Sequence, residues 1–317
     1  MQIRTVGNSG LNISRLGLGT LTWGRDTDET EAADQLRLFI ESGGNFLETS
    51  NSYGNGDSEK VIGGFLGTLV KRDELIIALR SGGSGYDFNY PVVNSKTKLI
   101  ETLNSSLKRL GTDYVDLWAI SNWDQQVPIE ETLSAMEYGV QSGKVRYLGV
   151  SNYSGWQLAR VYSLQNPIFG KSSIISCMNE YSLLNRSAET EVLPAAINLG
   201  IGFIAWSPLA RGFLTGKYLN GIPADSRAAS AHFAGFMAPY LNSKSKIVME
   251  AVNVAASGLG YSPLEVALAW VRDNFGVTCA LLGARNMAQL RGALTVEEIE
   301  LPDEVRAALD EVSFPRS

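Results

Sequence analysis

Tyr53, Glu48 and Arg80 are three side chains that could together control a proton. Glu48 lies in the apolar run "NFLETS" (45–50), Tyr53 follows that run, and Arg80 lies near the end of "LIIALRS" (75–81). A fixed cation beside a phenol favours the phenolate and lowers its pKa, which makes tyrosine a usable proton donor. A carboxylate near the cation would hold it in place. The same residues could instead form a structural ion pair with a tyrosine packed over it, and their spacing alone leaves both interpretations open.

Eight apolar runs of strand character alternate with amphipathic helical patterns along the chain. The alternation predicts a parallel sheet with crossover helices, and eight units suit a closed barrel better than an open sheet. No G-x-G-x-x-G follows the first run, which disfavours the open dinucleotide-binding sheet. The predicted strands are 16–21, 45–50, 75–81, 115–121, 147–152, 173–180, 202–207 and 278–284. The predicted helices begin after Asp26 or Thr27 and end before residue 42, or span 96–110, 128–142, 187–199, 243–257 and 263–274.

The sequence therefore predicts one domain over residues 1–317, a single (β/α)8 TIM barrel with an N-terminal β-hairpin cap. The hairpin is predicted from "IRTVGNSGLNISRLG", with "GNSG" at its turn. Barrels of this kind keep their active sites at the carboxyl ends of the strands. The residues at or just after those ends are Thr20, Trp23, Glu48, Tyr53, Arg80, Ser121, Ser151, Asn152, Met178, Trp206, Ser207, Gly283 and Arg285.

Composition and charge exclude several classes of protein. The chain has 317 residues with 27 Lys+Arg and 33 Asp+Glu, and it carries no basic run that would bind nucleic acid. No apolar stretch is long enough to span a bilayer and the N-terminus lacks a signal-like apolar region, so we expect a cytoplasmic protein. The single histidine, His232, excludes a zinc site built on two imidazoles, and no metal site is predicted. Cys177 and Cys279 lie in apolar runs and are interpreted as buried thiols.

Two long connections interrupt the alternation, at 81–95 and 218–240, and both follow carboxyl ends of strands. Loops of this length are uncommon and are often functional, although mobile surface loops without a role remain an alternative. His232 lies in the second connection, and its unperturbed pKa near neutrality would suit proton transfer from above the pocket. An ordinary surface histidine is the competing interpretation.

Long segments of the chain resemble the aldo/keto reductase superfamily in the order in which that family has them. They are "LGLGTLTWG", "GGNFLETSNSYGNGDSE", "YVDLWAISNWD", "VRYLGVSNY", "NEYSLLNR", "WSPLARGFLTGKY" and "LLGARNMAQL". The resemblance covers nearly the whole chain, and it is nearest to bacterial members that also resemble the β-subunits of voltage-gated potassium channels. It implies a (β/α)8 barrel that binds NADP(H).

The resemblance implies a non-standard catalytic tetrad. The family tetrad is Asp, Tyr, Lys and His, and only Tyr53 matches it. Glu48 stands at the Asp position, Arg80 at the Lys position and Ser121 at the His position. Arg80 keeps the positive charge but cannot be deprotonated, whereas Ser121 can donate a hydrogen bond but cannot hold a charge.

The resemblance also implies a cofactor pocket with some departures from the family. Ser151 and Asn152 match the residues that hold the nicotinamide amide, and Trp206 matches the aromatic residue that stacks on the ring. Met178 stands where the family has Gln, and Gly292-Ala293 stands where it has Glu-Asn, which would weaken binding. The cofactor candidates are Thr20, Ser151, Asn152, Met178, Trp206, Ser207, Leu209, Gly212, Lys217, Arg227, Gly283, Arg285 and Gln289. The candidates for substrate contact are Trp23, Trp123 and His232.

Together these features predict an NADP(H)-dependent oxidoreductase for a small-molecule carbonyl or hydroxyl substrate, with Tyr53 as its general acid. Two alternatives stay open. The pocket could serve non-redox acid–base chemistry, such as dehydration, cyclisation or isomerisation, with a structural nucleotide or none. The chain could instead be a nucleotide-sensing interaction subunit. A homo-oligomer is also left open.

Overall fold

The computed structural model describes residues 1–82, 93–165, 168, 170–219, 221–224, 226–230 and 234–314, with only the backbone of Arg227. The chain opens with an antiparallel hairpin of β1 (Ile3–Thr5) and β2 (Asn12–Ser14), which confirms the predicted cap. Eight parallel strands then form a closed barrel, in which β10 pairs with both β9 and β3. These strands are β3 (Leu16–Gly19), β4 (Phe46–Ser50), β5 (Ile76–Ser81), β6 (Val115–Ile120), β7 (Val145–Ser151), β8 (Ile174–Glu180), β9 (Gly202–Trp206) and β10 (Val277–Leu282). The predicted (β/α)8 barrel is confirmed.

Helices connect the strands and cover the outside of the barrel. They are α1 (Glu29–Glu41), α2 (Asp57–Phe65), α3 (Lys96–Leu110), α4 (Ile129–Gln141), α5 (Gly155–Leu164), α6 (Val192–Leu199), α7 (Ala234–Met237), α8 (Ser243–Leu259), α9 (Pro263–Arg272), α10 (Met287–Leu294) and α11 (Asp303–Ser313). Helix α3 has the predicted bounds, because its four leucines form one buried face and Gly111 ends it in left-handed backbone. Within the described ranges, none of the helices combines the length and the apolar character needed to cross a membrane.

The inside of the barrel has its own apolar cluster, which includes Phe46 of β4, Ala78 of β5 and Ala119 of β6. Successive residues of a strand point to opposite faces, so the residues two positions further on also face the inside. Those residues are Glu48, Arg80 and Ser121. The alternation of side chains along each strand thus brings these three polar side chains to the carboxyl-terminal mouth of the barrel.

The N-terminal hairpin covers the opposite end of the barrel. Val6, Leu11 and Ile13 pack into the interior cluster from below. Arg4 donates from Nη1 to the carbonyl oxygens of Arg272 (2.7 Å) and Val277 (3.0 Å), which ties β1 to α9 and β10. With this end closed, the carboxyl-terminal mouth is the end open to a ligand.

A small cluster of charges holds the hairpin to the barrel. Asp273 pairs with Arg4 (3.4 Å) and with Arg15 (3.7 Å), and Arg272 donates to the same carboxylate. Burial raises the pKa of Asp273, but the hydrogen bonds and charge of Arg272, with the charges of Arg15 and Arg4, outweigh it and leave the pKa lowered. The carboxylate therefore stabilises the folded state while it is ionised.

The two long connections are partly described. Residues 83–92 lie outside the described residues, so the connection at 81–95 is known only at its ends. The connection at 218–240 contains α7 and two single turns of 3-10 helix, Arg227–Ala229 and Ala238–Tyr240. His232 also lies outside the described residues, and its predicted role stays a prediction.

Candidate active site

Glu48, Tyr53 and Arg80 form a buried triangle at the mouth of the barrel. The hydroxyl of Tyr53 donates to Glu48, with distances of 3.0 Å to Oε1 and 3.2 Å to Oε2. The Nε of Arg80 donates to Glu48 Oε1 at 2.6 Å, and its Nη2 donates to the phenolic oxygen. All three residues are at most 3% exposed. Strands β4 and β5 pair side by side, with Glu48 opposite Ala78, and the long Arg80 side chain two residues further along β5 reaches Glu48 diagonally.

The turn that carries Tyr53 is held from below by a second ion pair. Tyr53–Gly56 forms a tight turn between β4 and α2, with left-handed backbone at Gly54 and Asn55 and φ = 93° at Gly56. The side chain of Arg109 packs directly against Gly56, where an added Cβ would lie 2.5 Å from Arg109 Nε. Arg109 in turn donates to Glu59, whose side chain is fully buried. The Glu59–Arg109 pair therefore packs against the turn at Gly56 and supports the position of the Tyr53 phenol.

Ser121 presents a buried hydroxyl just after β6, the strand that pairs with the one carrying Arg80. Its backbone N–H donates to the Ser81 carbonyl at 2.7 Å, which extends the β5–β6 pairing by one residue. Its Oγ is buried and has no hydrogen-bond partner in the described part of the protein. A buried hydroxyl without a partner is costly, so the arrangement favours a ligand that supplies one.

Asn152 and Trp206 are joined at the next strand ends. Trp206 Nε1 donates to Asn152 Oδ1 at 3.1 Å, and Asn152 Nδ2 donates to the Ser121 carbonyl at 2.9 Å. The indole is thereby fixed at the end of β9. Ser151 is fully buried and donates to the carbonyl oxygen of Met178 at 2.9 Å, so both lie beneath the surface of the site.

A cleft of about 330 Å³ starts at the triangle and runs across the mouth of the barrel. It passes Trp206 and the loop after β9, and it reaches the loop between β10 and α10. Its lining includes eight of the residues predicted to bind the cofactor. Those eight are Trp206, Ser207, Leu209, Gly212, Lys217, Gly283, Arg285 and Gln289.

The far end of the cleft is positively charged. Lys217 and Arg285 both line it, and the Arg285 guanidinium has no hydrogen bond or ion pair to another described residue. The backbone N–H of Arg285 donates to Gln289 Oε1 at 2.9 Å, and Asn286 caps the N-terminus of α10. Two cations and a helix N-terminus at one end of a cleft suit an anionic group such as a phosphate.

Arg211 is a cleft residue that the sequence analysis missed. It forms an ion pair with Glu180 at the end of β8 (2.6 Å), and its guanidinium lies 3.7 Å from the ring centre of Phe236. Tyr240 donates to the same Glu180 carboxylate at 2.8 Å. This clamp joins the loop after β9 to the segment around α7. The sequence features that could have indicated this pair are the arginine directly after "SPLA" and the glutamate at the end of a strand.

Besides Ser151 and Met178, three predicted site residues lie away from the cleft, and the side chains of two more lie outside the description. Thr20 is fully buried, where its hydroxyl bonds the Glu48 carbonyl and Ser58. Trp23, predicted to contact substrate, is instead fully buried in the core, where its Nε1 donates to Gln35 and its ring packs on Phe65. Trp123 packs between Tyr153 and Trp156 rather than on the cleft. The Arg227 side chain and His232 lie outside the description.

The fold and the cleft together define a (β/α)8 barrel protein with a small-molecule site at its carboxyl-terminal mouth. Residues 15–313 match the sequence model of the Aldo/keto reductase family. The chain therefore belongs to the aldo/keto reductase family. A group of three or more His, Cys, Asp or Glu side chains able to hold a metal does not occur in the described ranges.

Named relatives agree with this assignment. An uncharacterized oxidoreductase of Bacillus subtilis is 35% identical over 99% of this chain and 96% of that protein. The L-glyceraldehyde 3-phosphate reductase of Escherichia coli is 35% identical over 92% of this chain and 86% of that protein. A probable voltage-gated potassium channel subunit beta of Oryza sativa is 33% identical over 92% of this chain and 89% of that protein. The family and two of these names support an oxidoreductase.

Proposed function

We propose that this protein is an NADP(H)-dependent oxidoreductase that acts on small or medium-sized carbonyl or hydroxyl compounds. One observation carries the proposal. A single cleft joins the Glu48–Tyr53–Arg80 triangle to the cationic end at Lys217 and Arg285. A proton-handling group at one end and a phosphate-binding group at the other suit a nucleotide whose reactive ring lies near the phenol.

The residues present fit such a nucleotide. The indole of Trp206 is fixed by Asn152 and offers a flat face beside Tyr53 for stacking. Lys217 and Arg285 would hold phosphate groups, and Arg285 favours the 2′-phosphate that distinguishes NADP(H) from NAD(H). When bound, the nicotinamide would supply or take up a hydride. The apolar side chains of Met178 and Ala293 offer no polar contact, so we expect weaker affinity than with Gln and Asn there.

The triangle would exchange the substrate proton. Tyr53 lines the cleft and would give its proton to a substrate oxygen or receive one from it. Arg80 would stabilise the phenolate form of Tyr53, and Glu48 would fix Arg80 in place. Ser121, whose buried Oγ has no partner among the described residues, would donate a hydrogen bond to the substrate oxygen.

Titration of the protein with NADPH and with NADH, followed by tryptophan fluorescence, tests the cofactor. We expect saturable quenching by NADPH, with NADH binding more weakly by about tenfold or more, as loss of one charged hydrogen bond implies. A Trp206→Phe variant should lose most of the quenching, which would show that the nucleotide binds beside this indole. No saturable change at millimolar nucleotide contradicts the proposal, and a preference for NADH removes the phosphate assignment.

Non-redox acid–base chemistry is a second candidate, favoured by the direct contact between Tyr53 and Glu48. A phenol and carboxylate that share a proton could serve dehydration or isomerisation without net electron transfer. A nucleotide-sensing subunit is a third candidate, supported by the channel-subunit name of one relative. Hydride transfer by the nucleotide-loaded protein favours the first function, and stable co-purification with a partner favours the third.

A further inference from the structure

The phenol of Tyr53 lies between a group that can only accept a proton and a group that can only donate one. An ionised Glu48 carboxylate has no proton to give, so the phenol at 3.0 Å must be the donor in their hydrogen bond. The guanidinium of Arg80 has no acceptor atom, so the phenolic oxygen must accept from it. The phenolic proton is therefore directed toward Glu48, and the cation lies where it stabilises negative charge on the phenolic oxygen.

We propose that Glu48 accepts the proton of Tyr53 during turnover and that the natural substrate is an alcohol, which the site oxidises. This inference rests on the proposed function. The O–H bond of the substrate breaks and its proton passes to the phenolic oxygen, while the phenolic proton passes to Glu48. The hydroxyl-bearing carbon loses a hydride to the oxidised nicotinamide nucleotide and becomes a carbonyl carbon. Charge is conserved, because one carboxylate is neutralised as one positive charge on the nucleotide is lost.

The local packing supports this role for Glu48. The carboxylate reaches the phenol directly through both oxygens, so no other group is needed to pass the proton. The carboxylate packs against Gly19 of β3, where a side chain would crowd it, since an added Cβ would lie 3.3 Å from Glu48 Oε2. Glu48 also lines the cleft, which gives its proton a path to solvent once product has left.

The charged groups around Glu48 come from several elements. Arg80 of β5 and Tyr53 of the following turn contact it directly, whereas β3 contributes Gly19 at this point. Further along the cleft the ionisable side chains of the described lining are Arg211, Lys217 and Arg285. Arg211 is already paired with Glu180. Glu48 is thus the acidic side chain of that lining, and protonation of this one group should control both directions of the reaction.

The pH dependence of both directions tests the proposal, with one alcohol and its matching carbonyl compound as the probe. In the parent, oxidation should lose rate as pH falls and reduction should lose rate as pH rises. Glu48→Gln should remove the pH dependence of both directions. It should also lower kcat for oxidation by about 10²- to 10⁴-fold, the usual contribution of a positioned proton acceptor. Nucleotide affinity should stay unchanged. Glu41→Gln, at an exposed glutamate of α1, is the matched control and should behave as the parent.

A readout without turnover comes from infrared difference spectra recorded against pH. The parent should show a carboxylic-acid band that Glu48→Gln lacks, and Tyr53→Phe should shift that band because its hydrogen-bond partner is lost. A band that does not shift in Tyr53→Phe would overturn the proton transfer. A pH dependence of the rates that persists in Glu48→Gln would overturn it as well. Faster reduction than oxidation at neutral pH would overturn the alcohol as substrate. If the parent binds nucleotide but transfers no hydride while the band behaves as expected, the proposed function fails and the alcohol substrate fails with it.

Discussion

The hydroxyl of Tyr53 donates directly to the carboxylate of Glu48 across 3.0 Å, and Arg80 donates to both. The contact depends on the length of the glutamate side chain and on the space beside Gly19. It makes the phenol and the carboxylate one proton-sharing unit, with the guanidinium as its fixed counter-charge. The proposed proton chemistry depends on this unit.

Removal of the phenolic hydroxyl should separate chemistry from binding. Tyr53→Phe deletes the group that exchanges the substrate proton, and we expect kcat to fall by about 10²- to 10⁴-fold. Affinity for NADPH, measured by fluorescence titration, should change little because the ring remains. Tyr138→Phe, at a half-exposed tyrosine on α4, is the control and should leave kcat unchanged. Unaltered turnover in Tyr53→Phe would show that the phenol is structural.

The support beneath Tyr53 can be tested with two glycines. Gly56 and Gly67 both have left-handed backbone, with φ = 93° and 79°, but only Gly56 has a close neighbour, Arg109. Both alanine variants should lose about 1–3 kcal/mol of stability from the strained backbone. Gly56→Ala should also displace the turn and lower kcat more than tenfold, whereas Gly67→Ala should retain kcat. Equal kcat in the two variants would mean that the Arg109 contact does not position Tyr53.

The fold could be predicted from sequence because the apolar runs of the strands and the amphipathic patterns of the helices are both local features. Each barrel strand is a short apolar run between polar segments, and each of the eight predicted strands overlaps an observed one. Helices α2, α5, α7, α10 and α11 were not predicted. In α2 the reason is visible, since Gly63 and Gly64 have poor helix propensity. Gly63 is needed nonetheless, because a Cβ there would lie 2.5 Å from the Arg109 carbonyl oxygen of α3.

The site was predictable only in part. The period of two brought Glu48, Arg80 and Ser121 to one face of the barrel, and this follows from the strand assignments alone. The clamp between Glu180 and Arg211 joins residues 31 positions apart, and no spacing rule pairs them. Trp23 was expected at the substrate because it follows a strand end. It turns instead into the core, where Gln35 of α1 satisfies its N–H, and only the packing of α1 decides this.

Selectivity for the 2′-phosphate should depend on Arg285. Arg285→Gln removes a guanidinium at the cationic end of the cleft, and we expect the Kd for NADPH to rise by about 10- to 100-fold, as loss of a hydrogen bond to a charged group implies. The Kd for NADH should change by less than about threefold, since NADH lacks the phosphate. Arg291→Gln, at an exposed arginine of α10, is the matched control. If both nucleotides weaken equally, Arg285 acts on another part of the ligand.

Acid should weaken the attachment of the N-terminal hairpin. The pKa of Asp273 is lowered in the folded state, so its stabilisation is present above the unfolded pKa and is lost as pH falls through the folded pKa. Asp273→Asn should cost about 1–3 kcal/mol at neutral pH, the range for hydrogen bonds to charged groups. The difference from the parent in urea unfolding should shrink as pH falls below about 4. A difference that is constant with pH would show that the carboxylate charge contributes nothing.

The two cysteines should be inert in the native protein. Cys177 and Cys279 are fully buried, and burial raises the pKa of both thiols, so each lacks the reactive thiolate. A thiol-specific reagent should modify them at least about 10³-fold more slowly in buffer than in denaturant, since modification needs extensive unfolding. Mass spectrometry of the labelled protein counts the modified thiols. Rapid labelling of either cysteine in buffer would contradict the buried assignment.

Transfer of a hydride between the nucleotide and the substrate can be followed with a deuterium label. NADPH that carries deuterium on the nicotinamide ring is incubated with the protein and a panel of aldehydes and ketones, and the products are analysed by mass spectrometry. We expect deuterium on the former carbonyl carbon of at least one product, with transfer lost in Tyr53→Phe and retained in Tyr138→Phe. No deuterium in any product, from protein that binds the nucleotide saturably, would contradict hydride transfer.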